Sequence, residues 1–312
     1  MTPAASGAAV GASAITALPD FPRLKARVIG ASGLEYYADK DAALAERAEH
    51  RRAALGCSAS EYVRRLLDPR DDRELAALID EITVGETYFF RYPSQFDALR
   101  QAVIPACVAR RAGERRLRLW SAGCASGAEP YSLAILLRLD LAGLLAGWEV
   151  SILATDINRR ALDQARVGVF SKWELRTVGA ELRRRCFVPA GTQWRIRPEF
   201  RAGLRFERQN LAAEIEAFAL RHAGDFDVIL CRNVMIYFGA EVMRRVIRGL
   251  AECLAPGGWL LVGHAEPFFE IANILAPVAV AGATLYRKPE SGAGAAARPP
   301  WTGAVWSGPA LD

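Results

Sequence analysis

The 312-residue chain is 52% hydrophobic, enough for a sizeable core, and its net charge of +5, carried mostly by arginine, is too mild to imply a nucleic-acid partner. It has no uncharged apolar run of about 20 residues, which argues against membrane insertion. Its six cysteines are scattered without a CxxC pair and its three histidines are far apart, which argues against a metal or disulfide framework and fits a reducing cytoplasm.

The first 20 residues lack a basic n-region and read as a disordered leader rather than a signal peptide. Residues 21–82 read as an all-helical N-terminal domain. Phe21–Ile29 precedes a break at Gly30–Gly33. Asp39–Leu55 ends at Gly56, Ser60–Leu67 has Ser58 or Ser60 as N-cap, and Arg70–Ile82 completes the set. Arg47, Arg51, Arg52, Arg64 and Arg65 gather here, interleaved with Glu46, Glu49 and Glu61, so an ordinary solvated surface is a competing reading. Residues 83–100 are expected to form a linker that contributes to a site. Tyr88-Phe89-Phe90-Arg91-Tyr92 stands in it between Gly85 and Pro93.

Leu117–Tyr131 (LRLWSAGCASGAEPY) is the organising stretch. Alternating Leu117 and Leu119, followed by Trp120, read as a buried strand. Seven small residues, Ser121–Gly127, then form a tight turn, and Pro130 sits in the first turn of an apolar helix. Strand, glycine-rich turn and helix make the nucleotide-binding corner of a doubly wound α/β sheet. The loop lacks the strict GxGxxG and GxxxxGK[ST] patterns and has no lysine for a phosphate, so it suits an adenosine better than a polyphosphate. Its one charge, Glu129, either caps the helix or attracts a cation such as a sulfonium. Glu149–Asp156 is the second strand. Asp156 ends it where an acid accepts bonds from ribose hydroxyls, or else caps the next helix, a role Asn158 could equally fill.

Residues 159–183 read as helical with breaks at Gly168 and Gly179. Residues 185–206 read as a small antiparallel β-subdomain, and Leu204–Asn210 re-enters the main sheet. Phe226–Asn233 is a buried strand ending in Arg232 and Asn233, which places Asn233 and Tyr237 at the carboxyl edge where ligands bind. A helix over Glu241–Leu254, a strand over Trp259–Gly263 and a hairpin over 276–288 follow. Residues 289–312, rich in Gly, Ala and Pro, read as a disordered tail.

ITVGETYFFR, WSAGCASGAEPYS, LATDIN, CRNVMIYF and APGGWLLVGHAEP occur in this order. The set resembles the chemotaxis-receptor methyltransferases of the CheR family. The resemblance implies a doubly wound class I S-adenosylmethionine-dependent methyltransferase (Rossmann-like) sheet over about 101–288, with the β-subdomain and helical domain attached. It implies a monomeric, cytoplasmic protein-glutamate O-methyltransferase that uses S-adenosyl-L-methionine, releases S-adenosyl-L-homocysteine and acts on the cytoplasmic helices of a chemoreceptor. Carried over by position, Thr87, Arg91, Gly123, Glu129, Asp156, Asn210, Leu211, Asn233 and Val234 belong to the cofactor site. Glu129 would meet the methionine moiety, Asp156 the ribose, and Asn210-Leu211 would flank adenine. Arg91 and Tyr237 would lie nearest the reactive methyl. Gly85 departs from the family, in which many members carry Asn there.

A glutamate nucleophile is already ionised at neutral pH, since its carboxyl ordinarily titrates at about 4.3, so no general base is needed. The rival readings are a methyltransferase acting on another substrate and a non-catalytic cofactor-binding module. Some relatives dock on a receptor's carboxyl-terminal peptide through an insertion in the β-subdomain. Only VPAGTQ separates Phe187 from Trp194 here, so no tight tether is expected, and recognition falls to Arg47, Arg51, Arg52, Arg64 and Arg65.

Overall fold

The computed structural model describes residues 14–266, 268–290 and 306–307. The chain divides into two compact units, Met1–Thr83 and Val84–Asp312.

The first unit is helical over Phe21–Ser32, Asp41–Leu55, Ala59–Leu67 and Asp72–Ile82. Its first helix continues through Gly30 and stops at Gly33, whose φ of 75° gives a left-handed cap. Gly30 costs such a helix only about 1 kcal/mol, too little to end it. Ser58, rather than Ser60, caps the third helix by accepting from the Glu61 N–H. Part of the expected leader is structured. Residues 14–20 form turns and Ile15 is fully buried, while residues 1–13 lie outside the described residues.

The second unit is built on a twisted sheet. Its strands are β1 (Arg116–Ala122), β2 (Glu149–Asp156), β3 (Val169–Phe170), β4 (Phe187–Ala190), β5 (Gln193–Ile196), β6 (Leu204–Arg208), β7 (Phe226–Cys231), β8 (Leu254–Val262), β9 (Ala276–Val280), β10 (Ala283–Arg287) and β11 (Trp306–Ser307). β6, β2, β1, β7 and β8 lie side by side and parallel, and β10 then β9 close the sheet antiparallel. Period-two alternation splits β1 between two cores. Leu117 and Leu119 face one with Phe96, Val103 and Leu133, while Trp120 and Ala122 face the other with Leu211, Phe218 and Ile247. The strand order reverses between β1 and β7, which opens a crevice at their carboxyl ends.

Several stretches differ from expectation. The 83–100 segment is not a plain linker. Pro93 starts a helix, Pro93–Ala98, that passes through a wide turn at Leu99–Val103 into Ile104–Arg110 and packs on the sheet. Within 159–183 the helix Arg159–Val167 ends at Gly168, and Val169–Phe170 pairs with β5. The subdomain is thus a three-stranded sheet in the order β3-β5-β4 that recruits two residues from before the expected segment, while β6 joins β2. In the expected disordered tail, Trp306–Ser307 pairs antiparallel with Glu149–Val150; residues 291–305 and 308–312 lie outside the described residues.

Candidate active site

The crevice begins at the loop after β1. Gly123 has φ 79°, and a Cβ there would meet Val234 Cγ2 at 2.3 Å, so only glycine allows the β1 and β7 loops to approach this closely. Asp156 holds the loop: its Oδ2 accepts from the Ala125 N–H at 2.8 Å and its Oδ1 from the Asn158 N–H at 2.8 Å. Asn158 caps the following helix through the Ala161 N–H, so Asp156 is not the cap. At the next strand end the Gln209 N–H donates to the Asp156 carbonyl at 3.0 Å, bringing Asn210 and Leu211 beside it. The Asn210 side chain accepts from the Ala212 and Ala213 N–H groups as a helix cap, and Leu211 is buried in the core.

Backbone strain gathers at this crevice. Six described non-glycine residues have positive φ, and four of them border it: Phe90, Tyr92, Ala125 and Asn233. Such conformations cost of order 1–3 kcal/mol each and persist only where surrounding contacts impose them. Asn233, with φ 59°, donates from Nδ2 to the Tyr92 hydroxyl at 3.0 Å. Tyr92 in turn lies against the His264 ring at 4.2 Å. Glu266 accepts from the Val234 N–H at 2.9 Å. Burial pushes the Glu266 carboxyl up to about 7, opposed by backbone N–H groups of the Asn233–Ile236 turn. Tyr237 closes the short turn Met235–Tyr237 and is half-buried.

Glu129 lies deeper, only 7% exposed. Its Oε1 accepts from the Ser121 hydroxyl at 2.5 Å and its Oε2 from Arg232 Nε at 2.6 Å. Arg232 Nη1 also donates to Gln95 Oε1 at 3.1 Å and to the Arg91 carbonyl, and Gln95 Nε2 donates to the Val262 carbonyl at 2.6 Å. One buried network therefore joins β1, β7, β8 and the 91–95 segment. Arg91 is half-buried as a residue, its guanidinium donates to the Glu86 carbonyl at 3.2 Å on the exposed side, and it has no ion pair among the described residues. Thr87, two residues before the buried Phe89, is also half-buried. The buried thiols of Cys124 and Cys231 are pushed well above their ordinary values by desolvation, which leaves them protonated and inert.

The structure thus brings together Gly123, Glu129, Asp156, Asn210, Asn233 and Val234, with Arg91 tied in through its backbone. Sequence reading does not single out Arg232, Gln95 and Glu266 as members of this network, whereas Tyr92 falls in the aromatic stretch expected to contribute to a site. A charged residue directly after the apolar run 228–231 is the available signal for Arg232. Gln95 and Glu266 have none, since their partners are distant in sequence.

The helical unit corrects the arginine assignment. Arg51 is no surface cation: its side chain is 16% exposed and donates from Nε and Nη2 to the buried Glu74 at 3.0 and 2.8 Å. Arg52 is held by Glu49 and by the Cys57 carbonyl. Arg47 lies 3.9 Å from Glu81, Arg65 lies 3.5 Å from Asp71, and Arg64 is exposed.

The family described as the CheR methyltransferase, SAM binding domain, matches residues 85–281. The chain belongs to the CheR methyltransferase family. Chemotaxis protein methyltransferase 2 of Vibrio cholerae is 36% identical over 220 residues, covering 70% of this chain and 75% of that protein. Chemotaxis protein methyltransferase 1 of Pseudomonas aeruginosa is 34% identical over 237 residues, covering 74% and 83%. Among solved structures, the N-methyltransferase NodS of Bradyrhizobium japonicum is 15% identical, covering 62% of this chain and 88% of that one, with a TM-score of 0.34. The cofactor of this CheR chain is S-adenosylmethionine, and the residues fit it. Gly123 lets the turn that carries Asn233 and Val234 close onto the glycine loop. Asn233 Oδ1 and Gln209 Nε2 are buried without a hydrogen-bond partner among the described residues, an acceptor and a donor suited to an ammonium group and an adenine nitrogen. Among the described residues this CheR chain has no helix long and apolar enough to cross a membrane and no cluster able to hold a metal ion.

Proposed function

We propose that this methyltransferase esterifies glutamate side chains on the cytoplasmic helices of a chemoreceptor and serves sensory adaptation from the cytoplasm. Bound S-adenosylmethionine supplies an electrophilic methyl group with a neutral thioether as leaving group. Asp156 accepts from the ribose hydroxyls, while Asn210 and Leu211 flank the adenine. Glu129, Asn233, Val234 and Thr87 hold the methionine end. Arg91 steers the incoming carboxylate and Tyr237 orients it by hydrogen bonding. No residue removes a proton, because the nucleophile is already ionised. The catalytic gain is one of positioning.

The observation that carries this reading is the charge arrangement. Arg232 neutralises the buried Glu129, and Arg91 remains half-buried with its positive charge unpaired among the described residues. Such a mouth attracts an anionic nucleophile. The experiment is transfer of labelled methyl groups to a receptor cytoplasmic fragment, followed by alkaline release of methanol. Base-labile label that disappears when the acceptor glutamates are changed to alanine is expected. Base-stable label would assign the activity to another nucleophile.

The β4–β5 hairpin turns in two residues around Gly191, φ 64°, which supports recognition without a carboxyl-terminal tether. Arg47, Arg64 and Arg65 remain as cations for the receptor helices. A receptor shortened at its carboxyl terminus should be methylated as fast as the full one.

A further inference from the structure

We propose that Tyr88, Trp173 and Arg176 form, with Arg91, a docking shelf for an acidic helical segment of the methyl-accepting protein; this rests on the reading of a carboxylate acceptor above. The Arg176 guanidinium lies 3.6 Å from the ring centroids of both Tyr88 and Trp173, in the corner between two rings whose planes meet at 77°. Arg91 reaches the same Tyr88 ring at 5.7 Å. Two cations therefore share one aromatic residue at the cleft mouth. Neither forms an ion pair among the described residues, whereas Arg51 and Arg232 each meet a carboxylate. Arg176 uses one donor on the Trp173 carbonyl at 2.8 Å and is otherwise exposed.

The shelf is anchored. Glu174 turns inward, accepting from the Ser171 N–H at 2.8 Å and the Ser171 hydroxyl at 2.9 Å, and from Ser126 of the glycine loop at 2.8 Å. The Phe89 N–H donates to the Glu174 carbonyl at 3.0 Å, and the Thr177 hydroxyl donates to the Phe89 carbonyl. The charge at Arg176 is thus held at a fixed place beside the cofactor loop, which lowers the ordering cost of binding. With the Glu174 carboxylate occupied and Lys172 exposed nearby, Glu86 is the one exposed acid of the adjoining segment.

The occupant follows from charge and shape. Residues one helical turn apart have Cβ atoms about 5–6 Å apart, and Arg91 and Arg176 both lie on the Tyr88 ring, so one helix face can give a carboxylate to each. Trp173, 48% exposed, offers an apolar edge to the methylenes between them. Nucleobases are disfavoured because Arg176 already lies on Tyr88 and Trp173.

The test uses the full chain with Arg176→Gln, Arg176→Glu and Trp173→Ala. For a receptor fragment that the wild type methylates, KM should rise about threefold in Arg176→Gln and more in Arg176→Glu. Trp173→Ala should also raise KM. In all three, affinity for S-adenosylhomocysteine and turnover at saturating receptor should stay within about twofold. Unchanged KM in all three, or cofactor affinity falling in step with KM, overturns the shelf. If the wild type methylates no fragment, the proposed function fails by itself. The shelf is then read with a fluorescein-labelled helical peptide carrying Glu at i and i+4 and its Gln counterpart. Preference for Glu that Arg176→Glu abolishes supports it, and equal binding of the two peptides overturns it.

Discussion

Among the described residues, each unit of the chain buries one arginine–glutamate pair, and the two pairs do different work. In the helical unit Glu74, 4% exposed, takes both bonds of Arg51 and a third from the Tyr62 hydroxyl at 3.0 Å. Every partner is a helix side chain, so the pair fastens helices. In the sheet unit Glu129 takes Arg232 and Ser121, but Arg232 continues to Gln95 and the Arg91 carbonyl. That second pair runs from under the sheet edge to the residue that would meet the substrate. A buried ion pair is weak evidence for stability by itself, because desolvation offsets most of its attraction. What distinguishes the pairs is where their remaining hydrogen bonds lead.

The largest expected effect tests the first pair. Arg51→Met strands a buried carboxylate and should lower unfolding stability by about 3–5 kcal/mol, whereas Arg51→Met/Glu74→Leu should recover most of it. Urea unfolding of the full chain measures both. A single-variant loss under about 1 kcal/mol would show the pair to be dispensable. Arg232→Met should cost about as much. Here the comparison sharpens: Arg232→Met/Glu129→Leu should regain stability without regaining methyl transfer, since both the bond to Arg91 and the Glu129 contact to the methionine end stay lost. Recovery of transfer in the double variant would reduce this pair to a fastener like the first.

Smaller effects come from single groups around the second pair. Asp156→Ala should weaken S-adenosylhomocysteine binding by about 1–3 kcal/mol in calorimetry, because the loop loses its bond to Ala125 together with the ribose contacts. Unchanged affinity would remove Asp156 from the site. Glu266 gives a pH signature. Its carboxyl titrates near 7 when folded but near 4.5 as an ordinary glutamate, so the native state holds the proton more tightly. Its contribution is therefore complete below about pH 4.5 and lost as pH rises through 7. Between pH 5 and 8 the wild type should lose roughly 2 kcal/mol relative to Glu266→Gln. Parallel stability curves for the two proteins would contradict this.

The smallest effect returns to the helical unit. Arg64→Glu should change stability by less than about 0.5 kcal/mol, in contrast to Arg51, while raising KM for a receptor. An unchanged KM would remove Arg64 from substrate recognition.

What can be read from residues alone is periodic or local. Leu117, Leu119 and Trp120 announce β1, the small residues after Ser121 announce the turn, and Asp156 ends β2, since strand alternation, glycine turns and strand ends depend on near neighbours. The helix that starts at Pro93 is hidden inside an expected linker because its aromatic approach obscures the start, and β3 is hidden because two residues carry no period. Tertiary structure decides which charges are free. Arg47, Arg51 and Arg64 look alike in the chain, yet only folding brings Glu74 to Arg51. It likewise brings Gln95 to Arg232 and Glu266 to the Asn233 turn. Burial and partnership are properties of distant segments meeting, and no spacing within one helix or strand encodes them.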